Sequence, residues 1–134
     1  MERAEERIAL ELGVLKKALA TLKDVIQNPS QDLVRDRDAA IQRFEYTFEL
    51  AWKSMKLLGE REGLACPGPR SAVKSAFKLG HVDSIEDWLA MLKARNQTSH
   101  TYHEETAVKV YECVVRFPPL VEAFLEKAAA GLNS

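Results

Sequence analysis

Residues 31–62 read QDLVRDRDAAIQRFEYTFELAWKSMKLLGERE. Apolar side chains recur at Leu33 or Val34, then at Ile41, Phe44, Phe48, Ala51, Trp52, Met55 and Leu58. Spacings built from three and four residues put them on one helical stripe. The pattern predicts a helix of roughly 30 residues, and such length suits a bundle of long helices lying side by side. Ser30 is placed to cap its start and Gly63 to stop it. Upstream, Ile8, Leu12, Leu15, Leu19, Leu22 and Ile26 mark a first helix over residues 3–27. Asn28-Pro29 ends that helix, because proline disfavours helical geometry in the residue before it.

Downstream, Pro67, Gly68 and Pro69 interrupt the chain, and Pro69 fits the first turn of a third helix over 69–79 that Gly80 closes. Ser84 and Asp87 form an aspartate variant of the capping box ahead of Trp88, Leu89, Met91 and Leu92. This fourth helix runs to about Arg95 or beyond. Glu104 and Glu105 suit the N-terminus of a fifth helix through Val108, Tyr111, Val114 and Val115. Pro118-Pro119 is expected to break or kink it, with Leu120 to Ala130 as a terminal helix. Alternating β patterns, repeats and low-complexity segments are missing from the sequence. The expected fold is an all-α, up-and-down bundle of four or five helices forming a single domain over residues 1–134.

A chain of 134 residues with 46% hydrophobic and 29% charged side chains can support one hydrophobic core without a staple. Nineteen basic and 20 acidic residues leave a net charge of −1. That balance excludes a global attraction to nucleic acid or anionic lipid, so such contact requires a local cluster. Cys66 and Cys113 are far apart and read as free thiols of a reduced, cytoplasmic protein. The charged start is not expected to act as a signal peptide, and no run approaches the roughly 18 apolar residues of a membrane span.

The densest polar cluster is Arg95-Asn96-Gln97-Thr98-Ser99-His100-Thr101-Tyr102-His103-Glu104-Glu105. Arginine offers a planar donor fork suited to phosphate, and histidine exchanges protons near neutral pH. A charge clamp and a proton shuttle are the parts phosphodiester chemistry needs. On a continuous helix Arg95 and His100 lie about 140° apart, so a break near Thr98-Ser99 is needed for them to converge. The plainer reading is a polar connector between helices.

The run from Arg95 to Tyr102 resembles the R-x4-6-H signature of the HEPN family in its R-x4-H-x-Y form. Its flanks, Ala76-Phe77-Lys78-Leu79-Gly80, Asp87-Trp88-Leu89-Ala90-Met91-Leu92, Glu104-Glu105-Thr106-Ala107 and Tyr111, are similar to the branch of nucleotidyltransferase substrate-binding proteins. The resemblance covers roughly residues 5–128 and implies a helical bundle, a homodimer, and a separate minimal nucleotidyltransferase as partner. In some such pairs the helical subunit is an RNase toxin. The resemblance then makes Arg95 and His100 the catalytic pair, supported by Asn96 and Ser99, and Tyr102 the acceptor of a silencing AMP. The alternative it implies is a non-catalytic subunit that holds substrate for the nucleotidyltransferase. His103 departs from the acidic residue expected in close relatives and changes the local charge beside Tyr102.

Weaker features remain. Arg70, Lys74 and Lys78 form a basic stripe on the third helix. It reads as a solvated face opposite Val73 and Phe77, or alternatively as a ridge that contacts the phosphates of RNA or of a nucleotide. His100, His103 and Glu104 have some metal-ligand spacing, but one short cluster is poor evidence for zinc, and neither a metal nor another cofactor is expected. Trp52, Phe44, Phe48 and Trp88 read as core or dimer packing, and Leu33, Leu50 and Leu57 as apolar residues that a second copy would cover. The sequence lacks a Gly-Ser nucleotidyltransferase signature with paired aspartates, so the chain is not expected to transfer nucleotides itself.

Overall fold

Helical periodicity, caps and breakers translate into six α-helices in a computed structural model that describes residues 2–133. They are α1 (Glu2–Gln27), α2 (Leu33–Arg61), α3 (Pro69–Lys78), α4 (Ile85–Gln97), α5 (Glu104–Val114) and α6 (Phe117–Asn133), with a 3-10 turn at Thr98–His100 between α4 and α5. Strands are absent among the described residues. Helix α1 packs along α2 and α6, while α2 also contacts α3, α4 and α5 and forms the spine of the bundle.

The α2 stripe is buried from Ala40 to Leu58 apart from the partly buried Trp52, but Leu33 and Val34 stay exposed, so burial begins later along the helix than the pattern suggested. Its cap differs too. Asp32, not Ser30, accepts from the Arg35 amide at 3.0 Å. Ser30 instead donates its N–H and hydroxyl to the Asp36 carboxylate. A carboxylate beside the exposed amides of a first turn interacts favourably with both the donors and the helix dipole.

Gly63 and Gly80 are left-handed, with φ of 80° and 81°. Each sits in a closing pattern in which the following amide bonds five residues back, Leu64 to Gly59 and His81 to Ala76. Only glycine enters that conformation without a steric penalty. At α4, Ser84 Oγ accepts from the Asp87 amide at 3.1 Å, while the return bond of a full capping box is not formed. Pro118 and Pro119 correct the expected boundary. They lie inside the first turn of α6, which starts at Phe117. Amides there lack intrahelical partners, so proline starts this helix without losing a bond.

Five aromatic side chains knit the helices together. Phe117 meets Phe44 edge-on at 5.0 Å and Trp88 at 5.4 Å. Trp88 also meets Phe124 at 6.2 Å and Phe48 at 6.3 Å. All five are at most 1% exposed. Such contacts contribute about 0.5–1.5 kcal/mol each beyond simple burial, and here they join α2, α4 and α6. Leu50 and Leu57 are half-buried against this core within one chain, so only Leu33 of the three expected partner-facing leucines is left bare. Cys66 and Cys113 are free thiols. No described helix is long and apolar enough to cross a membrane.

Candidate functional site

The polar cluster sits where α4 runs out. The α-helix ends at Gln97, next to the expected break near Thr98-Ser99, and the chain tightens into the 3-10 turn Thr98–His100. Thr98 Oγ1 donates to the Arg95 carbonyl at 2.7 Å and Thr101 Oγ1 to the Thr98 carbonyl at 3.0 Å. Hydroxyls returning to earlier carbonyls satisfy a helix end that has lost its regular donors. Helix α5 restarts at Glu104, and Arg37 of α2 grips that residue with two hydrogen bonds, at 2.6 and 3.2 Å. Hydrogen bonding to Arg37 and its charge hold the Glu104 carboxyl below the usual carboxylate range. The connecting turn is thereby fastened to α2 at its far end.

Arg95 fastens the near end. Its Nη2 lies 2.5 Å from Glu49 Oε1. The other oxygen of Glu49 accepts from the Trp52 indole N–H at 3.1 Å, and Lys53 Nζ stands 4.0 Å away. With 40% and 30% of the Arg95 and Glu49 side chains exposed, the ion pair adds only roughly 0–1 kcal/mol to stability. Its effect is orientation. One edge of the guanidinium is fixed on α2, and the remaining donors stay accessible to an anion.

His100 turns to a different neighbour. Its Nδ1 lies 3.5 Å from the Tyr102 hydroxyl, with the rings edge-on at 6.1 Å. Tyr102 also stacks, tilted, on His103 at 4.4 Å. Tyr102 is 75% exposed and lines the edge of a depression of about 270 Å³ formed with Asp38, Ile41, Gln42, Glu45 and Thr101. No hydrogen bond joins Arg95 to His100 within one chain. Asn96 and Ser99 bond through their side chains to neither member of the pair. Among the described residues, no three His, Cys, Asp or Glu side chains gather as a metal-holding group, and Glu104 is engaged by Arg37 rather than by the histidines.

Arg70, Lys74 and Lys78 lie on α3, away from its buried side. Phe77 does not oppose them: Val73 is fully buried, but Phe77 is 47% exposed. Sequence reasoning missed Glu49 and Arg37, and read Trp52 only as packing. A pair linking positions 49 and 95 leaves no periodic trace; the one local signal was an acid three residues before a tryptophan on the edge of the α2 stripe.

The sequence pattern of a known family, described as nucleotidyltransferase substrate binding protein like, matches residues 10–130. A protein of Haemophilus influenzae named "Probable ribonuclease HepT" is 30% identical, over 76% of this chain and 80% of its own. A crystal structure from Thermus thermophilus is 37% identical, with a TM-score of 0.75, over 84% of this chain and 96% of its own. A second structure, from Haemophilus influenzae and described as the fold of a substrate-binding domain of a nucleotidyltransferase, is 27% identical. It superposes with a TM-score of 0.79 over 92% of this chain and 99% of that one. With a motif-bearing turn fastened to α2 at both ends and a family pattern running nearly end to end, the chain belongs to the nucleotidyltransferase substrate-binding-protein branch of the HEPN family.

Proposed function

We propose that this protein is the helical partner of a separate minimal nucleotidyltransferase and acts, as a homodimer, as a metal-independent endoribonuclease of the toxin type. The observation that supports the reading is the end of α4 and its following turn, which carry a clamped Arg95 and, five residues on, an exposed His100 paired with Tyr102. In this chemistry a ribose 2′-oxygen attacks the adjacent phosphorus and the 5′-oxygen leaves. His100 takes the 2′-hydroxyl proton or returns one to the leaving oxygen, giving a 2′,3′-cyclic phosphate and a 5′-hydroxyl. Arg95 stabilises the charge that builds on the phosphoryl oxygens. The two residues act from one cleft shared by two copies, since within one chain they engage different neighbours.

In the same reading Tyr102 is the point of silencing. Attack of the Tyr102 hydroxyl on the α-phosphorus of ATP, catalysed by the partner nucleotidyltransferase, joins AMP to Tyr102 and releases pyrophosphate. A phosphodiester there carries negative charge next to His100 and competes for Arg95. A second reading, a non-catalytic subunit that docks substrate for the nucleotidyltransferase, draws support from the family description and from the structural relative.

One experiment separates them. Purified protein is incubated with total RNA and tRNA in EDTA, beside His100→Ala. Cleavage by the wild type and loss of roughly a hundredfold or more in the variant are expected, with helix content unchanged. Equal cleavage by both sinks the catalytic role of His100. No cleavage by folded wild type leaves the binding subunit as the function. AMP transfer is read by intact mass with the partner and ATP, and Tyr102→Phe is expected to block it.

A further inference from the structure

Helix α3 carries an unusual surface. Residues 63–82 hold Arg70, Lys74 and Lys78 and none of the chain's 20 acidic residues. Ala72, Val73, Ser75 and Ala76 are buried. At 3.6 residues per turn, Arg70, Lys74, Lys78 and Phe77 share an arc of about 100° on the opposite side. None of the three cations has an ion pair or hydrogen bond among the described residues, whereas Arg37, Arg61 and Arg95 all meet carboxylates. Phe77 is half-exposed at the edge of their row and touches no other ring among the described residues. The helix is seated firmly: Gly59 of α2 admits Cys66 and Ser75 so closely that an added Cβ would fall 2.7 Å from Cys66 Sγ and 3.3 Å from Ser75 Cβ.

We propose that this face of α3 is a contact for single-stranded RNA, with phosphates on Arg70, Lys74 and Lys78 and a base stacked on Phe77. The proposal rests on the RNA reading above and names where the strand is held. A protein without global positive charge needs a local, acid-free ridge to hold a polyanion. Cations in a row beside an exposed aromatic ring are what sequence-tolerant single-strand binding requires, because every base has a π face. Position also fits. Ser75 packs at Gly59 and Arg95 at Glu49, so the two surfaces attach to α2 roughly 15 Å apart along its axis. A bound strand covers about 4–16 nucleotides on comparable single-strand-binding folds, enough to bridge ridge and turn. An acidic surface of a protein partner would match the cations but gives no reason for the ring beside them.

The test uses the full chain and a fluorescein-labelled RNA of about 12 nucleotides, within the usual single-strand site size, whose 2′-O-methyl groups prevent cleavage by 2′-oxygen attack. Anisotropy is measured at several salt concentrations for wild type, Lys74→Glu, Phe77→Ala and Lys17→Glu, the last an exposed α1 charge as background. Lys74→Glu is expected to weaken binding roughly tenfold and to lower the salt slope by about 0.7 for each phosphate no longer neutralised. Phe77→Ala is expected to weaken binding about fivefold or more, and Lys17→Glu little. No binding by wild type, or equal losses in all variants, overturns the ridge. Cleavage of unmodified RNA runs in parallel. A wild type that cleaves while Lys74→Glu and Phe77→Ala bind and cleave normally keeps the RNase and removes the ridge. Ridge-dependent binding without cleavage supports the ridge and removes the chemistry. Loss of the nucleotidyltransferase from the Lys74→Glu protein, with RNA binding intact, overturns the proposal in favour of a protein interface.

Discussion

Glu49 is a carboxylate shared between two donors, the Arg95 guanidinium at 2.5 Å and the Trp52 indole at 3.1 Å. Replacing it by glutamine keeps the shape and removes the charge that fixes the guanidinium. Because the pair is half-exposed, the expected change in folding stability is within about 0.5 kcal/mol. A phosphate-clamping arginine that loses its anchor is expected to slow cleavage by about ten- to hundredfold. Single-turnover cleavage and a thermal melt on Glu49→Gln check both halves. A variant as fast as wild type would show that Arg95 needs no anchor. Glu49→Asp, which keeps the charge on a shorter stem, should recover part of the rate. The sequence displayed Arg95, His100 and Tyr102 because they fall within eight consecutive positions. It hid Glu49, because an ion pair between positions 49 and 95 exists only once α2 and α4 have packed.

At the scale of the helix, ends carry the specificity. Gly63 at φ 80° closes α2, so Gly63→Ala is expected to cost about 1–2 kcal/mol. Gly13 lies within α1 with nothing within 4 Å of an added Cβ, so Gly13→Ala is expected to stabilise by roughly 0.5–1 kcal/mol. Chemical denaturation of the two variants checks the opposite signs; a Gly63→Ala protein that loses no stability would refute the assignment of Gly63 as an obligatory left-handed cap. Helix positions were legible from periodicity, since buried Ile8, Leu12, Leu15, Leu19 and Leu22 recur every three to four residues. Ends were less so. Ser30 and Asp32 are both good caps, and packing chose the latter. Pro118-Pro119 reads as a breaker, yet proline equally begins a helix, and the burial of Phe117 decided which. Phe77 misled because an aromatic residue on a short helix is usually core, and here the buried side is made by Ala72, Val73, Ser75 and Ala76.

For the molecule as a whole, acid stability turns on a residue far from the motif. His81, between α3 and α4, is 9% exposed, its ring edge-on to Phe124 of α6 at 6.5 Å, with Nδ1 unpartnered. Burial, reinforced by the charge of Arg61, pushes its pKa below the ordinary 6.5. The unfolded chain therefore binds the His81 proton more readily than the folded one. Stability from neutral His81 is complete above about pH 6.5 and is lost as pH falls below it. Glu104, held below its ordinary 4.5 by Arg37, acts in a lower window, its stabilisation lost as pH falls below about 4.5. Denaturation midpoints between about pH 7.5 and 5 should fall for wild type and less steeply for His81→Phe. Parallel slopes for the two proteins would remove His81 as the cause.

The two tryptophans divide the molecule's light between two questions. Trp88, 1% exposed and ringed by Phe48, Phe117 and Phe124, emits from an apolar medium and shifts to the red only when the core opens. Trp52, partly buried with its indole N–H on the Glu49 carboxylate, emits from beside the Arg95 anchor and responds when an anion draws that arginine away. With each indole replaced in turn by phenylalanine, one intrinsic emission band becomes a gauge of folding and the other a gauge of site occupancy, without any added dye.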